Sequence, residues 1–312
     1  MTRVSQLHAS IGTAARTALC DAIASARRSI VAQFHSMGDL DARSRMRAGP
    51  VVDALNAAAR RGVDVTLHVE ADRCRYDHRG VHEPENAHAR RTYEGYARAL
   101  DARIHVIADA DPLVLEHAKA VVVDGARAFI GTANPNRSGF DEPGAVMIED
   151  DDPSDVAAVA SSIGDAPSQT ARVVSGPAAA TRERISGLLS ERADERIAIE
   201  DLSDTAVVDA LIARRRDGLH DEILVKCERG VSASLQRLTV AGVDVRTIAG
   251  AYLHEKYIDA GDRIYVGSAN LTRNGLDEAR EIGIVARPDE FDDGAAALRA
   301  DFNRMWNVGA PV

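Results

Sequence analysis

Strands alternate with helices along nearly the whole of the 312-residue chain, and one order of elements runs through it twice. Each run closes on a nearly identical hairpin. Together these observations predict an α/β protein of two similar lobes, each a mixed β-sheet flanked by helices. The first lobe is expected over residues 1–164 and the second over residues 165–312.

In the first lobe, apolar positions at helical spacing (Ile11, Ala14, Ala15, Ala18, Leu19, Ala22, Ile23) predict a helix over 10–27. Ser29 to Phe34 reads as a strand, and the polar run from His35 to Gly49 as a loop over the site. Pro50 starts a helix that Gly62 stops after Arg61. Val63 to Val69 alternates as a strand does. Residues 70–88 hold Cys74, His78, His82 and His88 at spacings that match no compact zinc pattern. A loop or substrate lid is the favoured reading, with a metal site as the alternative. Thr92 to Leu100 reads as a helix and Ile104 to Ile107 as a strand, and the first hairpin follows. The acidic break Glu149-Asp-Asp-Asp-Pro then caps a helix from Ser154 to Ile163, because carboxylates favour helix N-termini. Asp-rich metal binding is the alternative there.

Gly164 to Gly176 reads as the linker. The pattern restarts with a helix (Thr181 to Arg192), a strand (Arg196 to Glu200), a helix (Ala206 to Arg216) and a strand (Glu222 to Lys226). A helix from Ser232 to Ala241 and a strand from Val243 to Ile248 lead to the second hairpin, and Ala295 to Trp306 forms the last helix.

The hairpins carry the chemistry. Leu115 to Asn134 reads LEHAKAVVVDGARAFIGTAN, and Leu253 to Asn270 reads LHEKYIDAGDRIYVGSAN. Residues two apart on a strand share a face, so His117 projects with Lys119 and His254 with Lys256. The turn returns Thr132 and Asn134, or Ser268 and Asn270, to the same end. Imidazole can attack phosphorus or carry a proton near neutral pH. Ammonium and amide groups stabilise charge on the non-bridging oxygens. The set suits a phosphate diester.

These stretches resemble the HKD motif of the phospholipase D superfamily. The first copy fits throughout, with His117, Lys119, Asp124, Gly131 and Asn134, and Thr132 in place of Ser. The second keeps His254, Lys256, Gly267, Ser268 and Asn270 but is one residue short at its turn. That puts the motif aspartate out of register, with Asp259 and Asp262 as candidate substitutes. The resemblance implies two lobes packed face to face about a pseudo-two-fold axis, with both histidines at one phosphate. It also implies a phosphohistidine intermediate, no metal or cofactor, and a site that one monomer completes. Each copy is followed by an acid and a short run, Glu142-Pro-Gly-Ala-Val and Glu281-Ile-Gly-Ile-Val, and in the resembled family such an acid hydrogen-bonds the motif histidine. His117 is the expected nucleophile by that resemblance, although the two copies are nearly symmetric.

Composition narrows the partner. A net charge of −10 argues against a broad grip on nucleic acid. Arg43, Arg45 and Arg47 form either a local phosphate-holding loop or a solvated surface. The three cysteines (Cys20, Cys74, Cys227) are scattered, as in a reduced, cytoplasmic protein. No apolar stretch reaches the ~18–20 residues that span a bilayer, and no secretory leader or N-terminal membrane helix of the cardiolipin synthase kind is seen. A lipid would be met at a membrane surface. The leading expectation is a phosphodiesterase or phosphatidyltransferase on phospholipid-type diesters. The alternatives are a metal-independent nuclease of the same superfamily, an enzyme for a small soluble diester, and a non-catalytic binding protein.

Overall fold

The computed structural model describes residues 6–37, 39–40, 46–47, 49–70, 98–109, 114–136, 139–164, 166–177, 179–226 and 232–312. The loop with Cys74, His78, His82 and His88, most of the helix expected from Thr92, Arg43, Arg45, the Arg47 side chain and Cys227 lie outside the described residues.

Two sheets carry the structure. The first contains β1 (His8–Ile11), β2 (Ser29–Phe34), β5 (Asp64–Glu70), β6 (His105–Asp109), β7 (Lys119–Val123), β8 (Arg127–Gly131) and β9 (Val146–Asp150). Their order is β1-β9-β8-β7-β2-β5-β6. The second contains β10 (Val173–Ser175), β11 (Arg196–Ile199), β12 (Glu222–Val225), β13 (Asp244–Thr247), β14 (Lys256–Asp259), β15 (Ile264–Gly267), β16 (Ile282–Ala286) and β17 (Ala310–Pro311). Their order is β10-β16-β15-β14-β11-β12-β13-β17. The first seven strands of each sheet correspond one to one. A separate two-stranded ribbon, β3 (Asp39–Leu40) with β4 (Met46–Arg47), lies within the stretch expected to be a loop.

Strands β2, β5 and β6 run parallel, as do β11, β12 and β13, while the motif hairpins add antiparallel strands. The registers match as well: Phe34 pairs with Lys119 in one sheet and Ile199 with Lys256 in the other.

Alternation along the motif strands sorts the core. Ala120 and Val122 face inward, and Val121 and Val123 face outward. The inward residues of both sheets share one core with Tyr257, Val266 and Ile284, and with the helices that close each lobe, α3 (Pro153–Ser162) and α7 (Gly294–Val308). The outer faces are covered separately. In the first lobe the cover is α1 (Thr13–Ser25) and α2 (Pro50–Arg60). In the second it is α4 (Ala179–Leu188), α5 (Thr205–Arg216) and α6 (Ala233–Val240).

Local chemistry sets the helix ends. Pro50 opens α2, with Asp53 in the first turn and Arg60 in the last, which complements the helix dipole. Asp152 caps α3 by accepting from the backbone N–H of Ser154 and Asp155, and Ser232 caps α6 through Leu235.

Three expectations need correction. The helix expected over 10–27 begins only at Thr13, because residues 8–11 pair with β9 as an edge strand. The stretch 164–176, expected to be a linker, contains β10, its counterpart in the second sheet. The acidic break is shorter than expected, since Glu149 and Asp150 complete β9 and Asp150 is buried against Arg172.

Candidate active site

Bonds between the lobes set both motif histidines. The backbone N–H of His117 donates to the carbonyl of Arg280 (3.0 Å), and Arg280 N–H returns a bond to Leu115 (2.8 Å). On the other side His254 N–H donates to Pro143 (3.3 Å). Each histidine is thus anchored at a seam with the opposite lobe. Ion pairing of Arg280 with buried Glu116 (2.6 Å) closes the first seam.

His117 and His254 line one cavity of about 490 Å³. His35, Ser36, Asn134 and Asn136 line it from the first lobe, and Glu200 and Tyr252 from the second, with Glu142 at the seam. Lys119 and Lys256 are fully buried behind the histidines. The Lys119 ammonium donates to the His117 carbonyl. Lys256 Nζ lies 2.6 Å from Glu200 Oε2, 3.2 Å from the His254 carbonyl and 3.4 Å from His254 Nδ1.

The expected site residues fall into two groups. Asn134 Oδ1 accepts from Ser36 N–H (3.3 Å), and Asn270 Oδ1 accepts from Asp201 N–H (3.2 Å). Both amides tie the motif hairpin to the end of the neighbouring strand. Thr132 and Ser268 are spent on the backbone: Thr132 bonds Gly144 and Val146, and Ser268 bonds Ile282 twice. Asp124 braces the first hairpin by accepting from the N–H groups of Arg27, Arg28 and Ser29. Desolvation opposes its ionisation, but these donors win and lower its pKa. In the shortened second copy, buried Asp259 takes over the bracing by a different route, through Arg299 (2.7 Å) and Arg196 (3.7 Å). Asp262 is exposed and pairs with Arg263.

The two acids following the motifs behave differently. Glu281 Oε1 lies 2.8 Å from Nδ1 of His117, the histidine of the opposite lobe. Glu142 makes no such bond to His254, and its carboxylate instead accepts from the backbone N–H of Tyr252 (3.0 Å). Register explains this correction. Thr132 N–H bonds Val146 and Ser268 N–H bonds Ile282, so the true counterpart of Glu281 is Ala145. Glu142 sits three residues too early.

The same register pairs Glu200 with His35, since Ile199 and Phe34 face Lys256 and Lys119. Neither was expected from the motifs. Both follow the carboxyl end of a central parallel strand beside the motif strand, a place where α/β sheets gather ligands, and that position was the available signal. His35 Nδ1 lies 3.0 Å from the Glu116 carbonyl, and its ring meets that of His117 edge-on at 5.1 Å.

Burial governs the electrostatics. It lowers the pKa of His117 well below 6.5, with Lys119 and Lys256 adding to the effect, so the imidazole is neutral. Burial likewise pushes Lys119 down to about 7 and Glu281 up to about 7. With Nδ1–H donating to Glu281, the His117 lone pair is on Nε2. His254 is also depressed, first by burial and then by Lys256, while Glu200 works in the opposite direction. The Glu200 carboxyl resists burial and is held well below the usual carboxylate range by Lys256, His254 and Tyr252. Two imidazoles therefore face one polar cavity, with a buried lysine behind each.

Among the described residues no group of three or more His, Cys, Asp or Glu side chains is placed to hold a metal ion. Nor is any helix there long and apolar enough to cross a membrane.

Comparison with known proteins agrees with this architecture. A phosphatidylserine synthase from Haemophilus influenzae superposes with a TM-score of 0.70 at 12% identity, covering 98% of this chain and 87% of that one. A polyphosphate kinase from Porphyromonas gingivalis gives 0.61 at 17% identity, covering 98% of this chain and 50% of that one. The virion nicking-joining enzymes of monkeypox and vaccinia viruses are 29% identical over 111 residues, which is 34% of this chain and 26% of their length. The family described as "Cardiolipin synthase, PLD-like domain" matches residues 19–163 and 189–306, one segment for each motif. The chain belongs to that family, and with it to the phospholipase D superfamily.

Proposed function

We propose that the protein cleaves a phospholipid-type phosphodiester in two steps through a phosphohistidine on His117. The observation that carries this reading is the 2.8 Å contact between His117 Nδ1 and Glu281 in a cavity shared with His254. That contact fixes the tautomer and steadies positive charge on the ring, as an orienting acid does in other triads.

In the first step the Nε2 lone pair of His117 forms a bond to phosphorus. The bond from phosphorus to the leaving alcohol breaks, and that oxygen keeps the electron pair and takes a proton from His254, which is charged in the substrate complex, where the phosphate anion and Glu200 offset burial and Lys256. In the second step water, or a second alcohol, gives its proton to His254 and attacks phosphorus. The P–N bond then breaks and returns the lone pair to His117. Acid–base help of this kind contributes ~10²–10⁴-fold in rate. Lys119 and Lys256 balance the charge that builds on the non-bridging oxygens.

The choice of a lipid-type diester rests on charge and family. Glu142 and Glu200 at the cavity wall, with a net charge of −10, oppose a polyanion. The family description points to a phospholipid-processing domain. Lipid would be met at a membrane surface from the cytoplasm. The partial likeness to viral nicking-joining enzymes favours nucleic acid as the second reading.

The deciding assay offers phospholipid vesicles and a labelled single-stranded oligonucleotide to wild type, His117→Ala and His254→Ala in one chelator-containing buffer. Headgroup release that both variants lose is expected. Oligonucleotide cleavage lost in both, without headgroup release, would replace the lipid reading with the nuclease. Silence on both would overturn the lipid and nuclease readings together and favour a soluble diester or a binding role.

A further inference from the structure

The two histidines face one cavity, but the structure orients them by different means. Pseudo-symmetry calls for a carboxylate at position 145 to hold His254 as Glu281 holds His117, and that position is alanine. Ala145 is buried in the outer core of the first lobe, packed as a small apolar residue. His254 nonetheless has three partners from its own lobe. Glu200 Oε2 lies 3.6 Å from Nε2 and 2.6 Å from Lys256 Nζ. The other oxygen of that carboxylate accepts from the Tyr252 hydroxyl. The Tyr252 ring stacks on the imidazole with centroids 5.7 Å apart and planes 27° apart. Lys226 Nζ lies over the Tyr252 ring at 4.3 Å and 3.2 Å from its hydroxyl.

We infer that Glu200 and Tyr252 are the positioning residues of His254, replacing the missing cross-lobe carboxylate and holding that imidazole as the proton donor to the leaving alcohol. Glu200 anchors the tyrosine hydroxyl, and the ring then covers one face of the imidazole. The same carboxylate favours a proton on Nε2, the nitrogen nearer to it. Lys256 Nζ stands 3.4 Å from Nδ1, so the two ring nitrogens meet opposite charges. The first-lobe counterparts cannot do this for His117. His35 stands where Glu200 does and Glu70 where Lys226 does, so the acid and the base are exchanged between halves. The proton inventory of the first step is unchanged. Nε2–H of His254, charged in the complex with the anionic diester, moves to the departing oxygen, the imidazole is left neutral, and Glu200 remains a carboxylate throughout.

This inference rests on the assignment of His254 as acid, and leaving-group dependence tests it. A phenolate such as 4-nitrophenolate departs with little protonation, whereas an alkoxide needs a full proton transfer. Bis(4-nitrophenyl) phosphate, diphenyl phosphate and dibenzyl phosphate would be offered to wild type, Glu200→Gln, Tyr252→Phe and Tyr252→Leu. For Glu200→Gln and Tyr252→Leu, kcat on dibenzyl phosphate is expected to fall by ~10²-fold or more. The loss on bis(4-nitrophenyl) phosphate is expected to stay within ~10-fold, which also shows the variant to be folded. Tyr252→Phe keeps the stack and loses the hydroxyl contact, so an intermediate slope is expected. Equal losses on all three diesters, or none, would overturn the role of Glu200 and Tyr252 while leaving the active-site reading intact. A wild type that cleaves none of them, or a His117→Ala variant that still does, would overturn that reading and this inference with it.

Discussion

His117 Nδ1 and Glu281 Oε1 lie 2.8 Å apart although 164 positions separate them, and each lies just before a strand of a different sheet. The His117 side of the cavity exists only when the lobes are docked. Catalytic geometry and lobe packing are in this sense one structural fact, because the backbone bonds at the seam carry the same residues.

The covalent intermediate distinguishes the histidines. With bis(4-nitrophenyl) phosphate, His254→Ala should still form the P–N bond, since the leaving group needs no acid, and then stall for want of a base. Stoichiometric release of nitrophenol is expected, with an acid-labile phosphoryl group on the peptide containing His117 by mass spectrometry. His117→Ala should show neither. A labelled His254 peptide in that variant would reverse the assignment.

Acidity should shape the rate from both sides of neutrality. Glu281 must be ionised to orient His117, and burial pushes it up to about 7, so activity falls as pH drops through that value. Lys119 must be charged, and burial pushes it down to about 7, so activity also falls as pH rises through it. A narrow bell in kcat/KM centred near 7 is expected. Bound phosphate lifts the lysine, so the alkaline limb of kcat should lie higher. Glu281→Gln should flatten the acid limb of whatever activity survives.

Gly144 holds φ at +78°, and a Cβ there would meet Glu255 Cβ at 2.3 Å across the seam beside His254. Gly144→Ala combines backbone strain with overpacking and should cost about 2–5 kcal/mol. Gly218 has φ +91° with nothing within 4 Å, so Gly218→Ala isolates the strain alone. Urea midpoints of the two variants make the comparison. Equal midpoints would mean that the seam yields freely.

Arg214 is buried against Glu195 (3.0 Å) and Asp221 (2.8 Å) beneath the second sheet. Arg214→Leu leaves two carboxylates without their cation and should destabilise by about 3–5 kcal/mol. Burial raises Glu195 to about 8 even with Arg214 present. A raised folded-state pKa means that stability is fully present below about 4.5, the ordinary value, and is lost as pH rises through the folded one. Without Arg214 that pKa rises further, so wild type and variant lose stability alike up to about 8 and the deficit of the variant should widen above it, which denaturation at several pH values would read directly.

The local pattern was legible because strand periodicity places His117 with Lys119 and His254 with Lys256 whatever the tertiary context. The lobe order was legible for the same reason. Other features depended on distance. Glu142 looks like the partner of Glu281 when residues are counted from the motif, yet the loop between Asn134 and β9 shifts the register, and Ala145 takes the place. His35 and Glu200 carry no motif of their own, and only the pairing of their strands with Lys119 and Lys256 brings them to the cavity. The edge strands β1 and β10 are too short for alternation to reveal them, at four and three residues.

The alanine at position 145 makes the two halves unequal. The second half supplies an acid to the first and receives none back, so the halves are donor and recipient rather than interchangeable twins. Two copies of the second half, paired as the lobes are here, would each bring Glu281 to the other's His254. Two copies of the first half would bring no such acid to either His117. The first half therefore cannot complete its histidine by pairing with its own copy, whereas the second supplies an acid to whichever half faces it.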